Sequence, residues 1–354
     1  MLWKKKVRIL SIDGGGIRGI IPAYIIKYAE SYLQKKAPGT SIADHFDFIA
    51  GTSTGGILTG LYLAPEDETD KKSKYTAADA LDFYVQNGNH IFNKSKVKNW
   101  KRLWGLINAT EYDSKNLEQL LMAKFGNLLL SKLLKPCLIT TYNLNTKSAF
   151  FFTSTENTDK REFYVRDVLR STSAAPTYFT PAKIRNISKN GMKNPKLSKM
   201  INLDGGVFAN NPTMCAYAEA RNTNFKDRNN NEPSANDLLI LSLGTGGRGY
   251  NIANKEKSNS WGLLKWAKLV PDIMMDASID TVAYQMNEIF HSLGPSKSKN
   301  YLRINTPDKD RNYAVDMSDA SSGNIQELLK AGQKTLEHAK INGLDEFLDG
   351  LIDV

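Results

Sequence analysis

The chain has 354 residues, 41% of them hydrophobic and 24% charged, with 47 Lys and Arg against 37 Asp and Glu for a net charge of +10. This is the balance of an ordinary globular protein. It excludes a disordered or collagenous chain, and no apolar run approaches the ~18 residues that a transmembrane helix needs. Two cysteines, Cys137 and Cys215, are too few for a disulfide framework or a thiolate metal site.

The chain opens MLWKKKVRILSIDGGG. The basic start runs straight into a strand, with no apolar h-region and no small-residue cleavage site. It does not read as a signal peptide, and the expectation is a cytoplasmic protein. Val7 to Ile12 is a buried strand ending in glycines. Ile20 to Lys36 has helical apolar spacing, with Pro22 in its first turn. Phe46 to Ala50 is a second short strand that runs into Gly51-Thr-Ser-Thr-Gly-Gly56, and Ile57 to Ala64 is helical. Strand, turn and helix, twice over, is the grammar of an α/β protein with a parallel sheet.

Residues 65–74 form a polar loop, and Leu117 to Leu134 an amphipathic helix. Cys137 to Tyr142 and Ser148 to Thr153 are strands joined by a turn. Tyr164 to Ala175 is a helix that stops before Pro176. Met200 to Leu203 is a strand ending at Asp204-Gly-Gly206, and Asn210-Asn-Pro212 opens a helix. Residues 222–236 are a loop, and Leu238 to Leu243 is a buried strand. A helix from Trp261 to about His291, a strand over Tyr301 to Asn305 and a terminal helix from Ile325 complete the chain. No repeat or interdomain linker is visible, so one domain is expected.

The positive charge sits in clusters at Lys4 to Lys6, Lys71 to Lys74, Lys94 to Arg102 and Lys183 to Lys199. A solvated surface accounts for them, and attraction to an anionic partner is the sharper alternative. No helix-turn-helix, zinc-finger or RNP-type pattern accompanies the charge, so nucleic acid is not expected. The segment 94–104 interleaves cations with Trp100 and Trp104, which suits a lipid headgroup interface and peripheral contact with a membrane surface, with packing of the two Trp against the core as the equal alternative. Trp261-Gly-Leu-Leu-Lys-Trp266 reads as core packing, with a membrane-facing rim as the alternative.

The strongest chemical signal is Gly51-Thr-Ser53-Thr-Gly55, a G-x-S-x-G between a strand and a helix. A sharp turn there lifts the Ser53 hydroxyl out of the sheet and aims the following amide, that of Thr54, at a developing oxyanion. The second signal is Asp13-Gly-Gly-Gly-Ile-Arg-Gly19. Gly14, Gly16 and Gly19 satisfy the dinucleotide fingerprint G-x-G-x-x-G, but the acidic residue which that motif wants at the end of the next strand is missing. Beside a nucleophile elbow, a nest of amides from Gly14, Gly15 and Gly16, with Arg18 adding positive charge, reads as an oxyanion hole.

Ser53 needs a base. None of His45, His90, His291 and His338 stands at a strand end beside glycines. Asp204 does, and in a parallel sheet strand carboxyl ends share one edge with the first two loops. Gly244-Thr-Gly-Gly-Arg-Gly249 lacks the Lys-Ser/Thr of a P-loop and reads as a strand-end turn. Ser173-Ala-Ala-Pro-Thr-Tyr-Phe179 suggests close packing of small residues near the site.

These residues together resemble the patatin and patatin-like phospholipase family. VRILSIDGGGIRGIIPAYIIKYAESYLQ at 7–34, GTSTGG at 51–56, STSAAPTYF at 171–179, LDGG at 203–206 and LLILSLGTG at 238–246 carry the likeness in order. WGLLKWA at 261–267, NYLRIN at 300–305 and the region 317–333 extend it over nearly the whole chain. The resemblance implies a three-layer α/β/α fold with a mainly parallel central sheet in a single domain spanning 1–354. Its core motifs lie in 7–212, with a C-terminal helical part from about 255 packed on them. It implies a lipid acyl hydrolase with a Ser53–Asp204 dyad, no catalytic histidine and an oxyanion hole of Gly14, Gly15 and Gly16 near Arg18. Phospholipid or galactolipid esters are the implied substrates, and no metal or other cofactor is called for. Some bacterial members are switched on by cyclic dinucleotides, for which no residues are identified in this chain. The rival readings are a non-catalytic storage or binding protein on the same fold, and a nucleotide-binding protein using residues 14–19.

Overall fold

The computed structural model describes residues 5–67, 71–93, 111–155, 158–247 and 263–352. Ten strands run in chain order: β1 Val7–Ile12, β2 Phe48–Gly51, β3 Cys137–Asn143, β4 Ser148–Thr153, β5 Ala182–Arg185, β6 Lys199–Asp204, β7 Asn224–Phe225, β8 Asn230–Asn231, β9 Leu238–Leu243 and β10 Tyr301–Ile304. Eight of them form one sheet in the order β10-β9-β1-β2-β3-β6-β5, with β4 also paired to β3. The β1–β2, β1–β9, β9–β10 and β2–β3 pairs are parallel, so the sheet is mixed but mainly parallel at its centre.

The longer helices are α1 Ile20–Gln34, α2 Thr54–Leu63, α3 Ala77–Ile91, α4 Ser114–Phe125, α5 Val165–Thr172, α6 Thr213–Ala220, α7 Leu263–His291 and α8 Ser322–Ile341. They cover both faces of the sheet, and the strands show it by their period of two. Leu10, Ile12, Ile49, Leu239 and Leu241 join a large core with side chains of α1 to α5 and α8. Val7, Ile9, Phe48, Ala50, Leu238 and Ile240 point the other way, into a smaller core with Ala216 of α6 and Met286 and Phe290 of α7. The result is the three-layer α/β/α arrangement.

Several expected elements differ in extent, each for a local reason. The helix expected over 117–134 is α4, and it stops at Gly126, whose φ of +50° breaks the helix. The helix expected over 164–175 ends at Thr172. The loop expected over 222–236 contains the small β7–β8 ribbon. Apart from that ribbon, two of the strands and helices named above have no counterpart in the sequence reading. One is α3, although Thr76 and Asp79 form a capping box at its start. The other is β5, whose alternation is only two residues deep, Ala182 and Ile184 in, Lys183 and Arg185 out.

The most consequential difference concerns β6, which runs antiparallel to β3. β4 occupies one edge of β3 from Leu138 to Asn143. β2 must therefore share the other edge with β6, because a strand has only two edges. β2 pairs there with 137–139 and β6 with 141–143, so the two strands approach head to head. Gly51 lies level with Ile139 and Asp204 level with Thr141. Two residues of strand separate them, roughly 6.6 Å. The loop after β2 and the end of β6 thus converge on one spot, not by sharing a parallel edge but by facing each other.

The tightness of this junction is testable. A Cβ on Gly55 would lie 2.1 Å from the Ile12 carbonyl oxygen, whereas one on Gly323 of α8 would meet nothing within 4 Å. Denaturant titration should show Gly55→Ala losing at least ~1–3 kcal/mol, and Gly323→Ala gaining about 0.4–1 kcal/mol by restricting the unfolded chain.

Candidate active site

Ser53 links β2 to α2 with φ 54° and ψ −119°, a region that L-residues rarely occupy. The turn closes because the glycines flanking it carry no side chain. A Cβ on Gly51 would sit 2.3 Å from the carbonyl carbon of Gly55, and one on Gly55 would strike the backbone of β1. Hydrogen bonds fix the rest. The Ser53 amide donates to Thr172 Oγ1 at 2.8 Å. The Gly55 amide donates to the Thr52 carbonyl at 2.8 Å. The Thr52 hydroxyl reaches the Ala209 carbonyl and Thr140 Oγ1, both at 2.7 Å.

Asp204 is 5% exposed. Its amide donates to the Ala174 carbonyl at 3.0 Å, and its Oδ1 accepts the Gly206 amide at 2.7 Å. Burial pushes its carboxyl from the ordinary 3.8 up to about 7, opposed by hydrogen bonds from the Ser53 hydroxyl and the Gly206 amide. The register of β2 and β6 along β3 brings Ser53 and Asp204, 151 residues apart in sequence, to the same spot. The histidines stand elsewhere: His45 Nε2 lies 2.7 Å from Thr40 Oγ1 and His338 Nε2 3.1 Å from Asp310. Among the described residues no histidine lines the pocket beside Ser53.

The glycine loop after β1 lies against this pair, with the Cβ position of Gly14 3.3 Å from Ser53 Cβ. Its three glycines are not equivalent, which corrects the expectation at Gly14. The Gly14 amide donates to the Asn210 carbonyl at 3.0 Å and is not available to an oxyanion. Gly14 instead supplies room, since a Cβ there would lie 2.3 Å from Asn210 Oδ1. The amides of Gly15, Gly16 and Thr54 have no partner among the described residues. Gly16 has φ +58°, which a side chain would resist. Arg18 is buried and turned onto the loop, its Nε 3.4 Å from the Gly15 carbonyl, a carbonyl that also accepts the Arg18 amide at 3.1 Å.

Ser53 lines a partly open, mainly apolar pocket. Gly16 and Thr54 line it with Ser53, and apolar side chains from four further stretches complete it: Ile57, Ile91, Phe92, Leu117, Phe179 and Met317. Phe92, Tyr112 and Phe179 pack against one another with centroids 5.6 to 6.1 Å apart and stiffen one wall. The expected closeness of 173–179 to the site is seen in Ser173, Ala175, Tyr178 and Phe179, which all line the pocket. The sequence reading gave α3, α4 and Met317 no part in the site. The basic, Trp-bearing segment 94–104 lies outside the described residues, as do Trp261 and the side chain of Trp266. Among the described residues no group of three or more His, Cys, Asp or Glu could hold a metal ion, and no helix is long and apolar enough to cross a membrane.

This is a strand–Ser–helix elbow set beside a buried carboxylate, a glycine loop and an apolar pocket, on a three-layer α/β sheet. A family profile described as patatin-like phospholipase matches residues 10–217. Patatin-like protein 2 of Arabidopsis thaliana is 36% identical over 357 residues, covering 95% of this chain and 84% of the relative. Patatin-like protein 2 of Oryza sativa subsp. indica is 32% identical, and Patatin-05 of Solanum tuberosum 31%, each over 94% of this chain and 84% of the relative. Among solved structures, VipD from Legionella pneumophila aligns over 96% of this chain and 67% of its own, at 12% identity and a TM-score of 0.40. The chain belongs to the patatin-like phospholipase family. That membership supports a lipid ester hydrolase.

The Asp204 carboxyl makes a stability prediction. Between 3.8, its ordinary value, and about 7, its value in the fold, the folded chain binds more protons here than the unfolded chain. Stability therefore falls as pH rises through that window, and stays lowered above it. Asp204→Asn removes the charge, so its melting temperature relative to the parent should climb between pH 4 and pH 7 and then level off. A constant difference across that range would rule out the buried carboxylate as the cause.

Proposed function

We propose that the chain is a serine acyl hydrolase acting on carboxylic esters of phospholipids or galactolipids. The observation that carries this reading is the strained Ser53 at the wall of an apolar pocket, with its hydroxyl among the groups that act on the proton affinity of the buried Asp204. The Ser53 hydroxyl attacks the ester carbonyl and passes its proton to Asp204, forming a tetrahedral oxyanion. The amides of Gly15, Gly16 and Thr54 stabilise that charge without any movement of the backbone, and one such donor is typically worth roughly 2.7–4 kcal/mol in the transition state. The lipid alcohol leaves with a proton from Asp204. Water then attacks the acyl-enzyme with Asp204 as base again, and Ser53 is restored.

The carboxylate suits this task because burial has raised its proton affinity. A carboxylate of ordinary pKa is a feeble base toward a hydroxyl, whereas one near 7 is matched to neutral pH. The apolar pocket suits the acyl chain, which enters with loss of apolar surface from water. The chain's net charge of +10 favours approach to an anionic lipid surface, with the segment 94–104 as the candidate contact.

Ser53→Ala should abolish turnover of a short p-nitrophenyl ester while leaving the circular dichroism spectrum and melting temperature intact. Retained turnover removes Ser53 from its role. In the parent, kcat/KM for the same ester should rise with pH as Asp204 ionises and level off above about pH 7. A profile flat from pH 5 to 9 would reject Asp204 as the base.

A further inference from the structure

We infer that Thr245 is a positioning residue for the oxyanion hole: its hydroxyl fixes the plane of the Gly14–Gly15 peptide so that the Gly15 amide faces the reacting carbonyl. This deepens the reading of Ser53 and Asp204 as hydrolytic machinery and rests on it. Thr245 belongs to the glycine turn after β9, which sequence alone reads as a strand-end turn, and it lies beyond the residues that the family profile matches.

The register of the sheet brings it there. β1 and β9 pair in parallel with Ile12 opposite Leu243, so the chain two residues past each strand leaves the sheet side by side, Gly14 next to Thr245. Thr245 Oγ1 donates to the Gly14 carbonyl at 2.7 Å, and Thr245 is 2% exposed. Asn210 Nδ2 approaches the same carbonyl only at 3.5 Å, a far weaker hold. In a planar trans peptide the carbonyl and the following amide point in opposite directions. Anchoring the Gly14 oxygen therefore aims the Gly15 N–H the other way, and that N–H has no partner among the described residues.

The anchor is itself held. On one side of Thr245 the Gly244 amide donates to the Ile304 carbonyl at 2.8 Å. On the other side the Gly246 amide donates to Asn305 Oδ1 at 2.8 Å, and the Gly246 carbonyl accepts the Tyr313 hydroxyl at 2.9 Å. The fit leaves no slack, because a Cβ on Gly15 would lie 2.3 Å from Thr245 Oγ1. Arg18 does the same for the next peptide: its amide and Nε both point at the Gly15 carbonyl, leaving the Gly16 amide on the opposite edge. Thr245 differs in coming from a turn 231 residues away, so the oxyanion loop is set by a segment distant in the chain.

The test compares Thr245→Val, which keeps the shape and loses the donor, with Thr245→Ser, which keeps the donor. With a p-nitrophenyl ester, Thr245→Val should lower kcat about 10- to 100-fold with KM within twofold, a smaller effect than outright loss of an oxyanion donor. Thr245→Ser should recover kcat to within about threefold of the parent. An alkyl trifluoromethyl ketone, which Ser53 converts to an anionic hemiketal, should bind Thr245→Val more weakly by the factor lost in kcat/KM. The matching methyl ketone, which stays a ketone, should bind unchanged. Should Thr245→Val not fold, Thr245→Ala against Thr245→Ser makes the same comparison. A kcat within twofold of the parent for the donor-less variant overturns the inference, as does equal weakening of both ketones, which would make Thr245 a shaper of the ground-state pocket. Ser53→Ala is assayed alongside. If it retains turnover the hydrolytic reading fails, whereas an inactive Ser53→Ala with an unaffected Thr245→Val sinks only the role of Thr245.

Discussion

The contact between Gly51 and Gly55 is the constraint on which the site depends. The chain leaves β2 and enters α2 so abruptly that neither position has space for a Cβ. Ser53 is caught between them at φ 54°. A backbone held there costs on the order of 1–3 kcal/mol, and it persists only because its surroundings over-determine it. Here they do: Thr172, Thr52 and the backbone of β1 each hold one side of the turn. The strain presents a hydroxyl at the end of the sheet with the following amide turned toward the same space.

The second constraint is the head-to-head meeting of β2 and β6 along one edge of β3. It brings Asp204 to the Ser53 turn and buries the carboxylate, whose proton affinity is set by desolvation against the Ser53 hydroxyl and the Gly206 amide. Desolvation is the price that raises the carboxyl to about 7. A neighbouring arginine would have stabilised the fold and lowered the basicity. A buried ion pair instead joins Asp13 to Arg303, with Arg303 Nη1 2.9 Å from Oδ1, at the start of the glycine loop. Charge is thus neutralised there, while the Asp204 carboxyl is governed by desolvation.

The glycine loop shows how carbonyls and amides divide the work. The Gly14 and Gly15 carbonyls are tied down by Thr245 and Arg18, and the amides of Gly15 and Gly16 occupy the opposite edges of those peptides. The Gly14 amide is used up on Asn210. A sequence motif with three glycines does not reveal this division, because all three letters look alike. Which amide is left without a partner depends on residues 196 to 231 positions away.

The sequence by itself determined what local rules govern. The strands around Ser53 and Asp204, the glycines at the elbow, the alternation that covers both faces of the sheet and the family likeness all follow from short patterns. The place of Asp204 at a strand end beside glycines was legible as well, although β6 runs antiparallel to β3 and shares no parallel edge with it. Tertiary structure alone decided the rest. The antiparallel course of β6, the pocket walls supplied by α3, α4 and Met317, and the anchoring of Gly14 by Thr245 arise from contacts between segments far apart in the chain. Such contacts leave no periodicity behind, because they are fixed by which strand edges are free and by what space a missing Cβ leaves open.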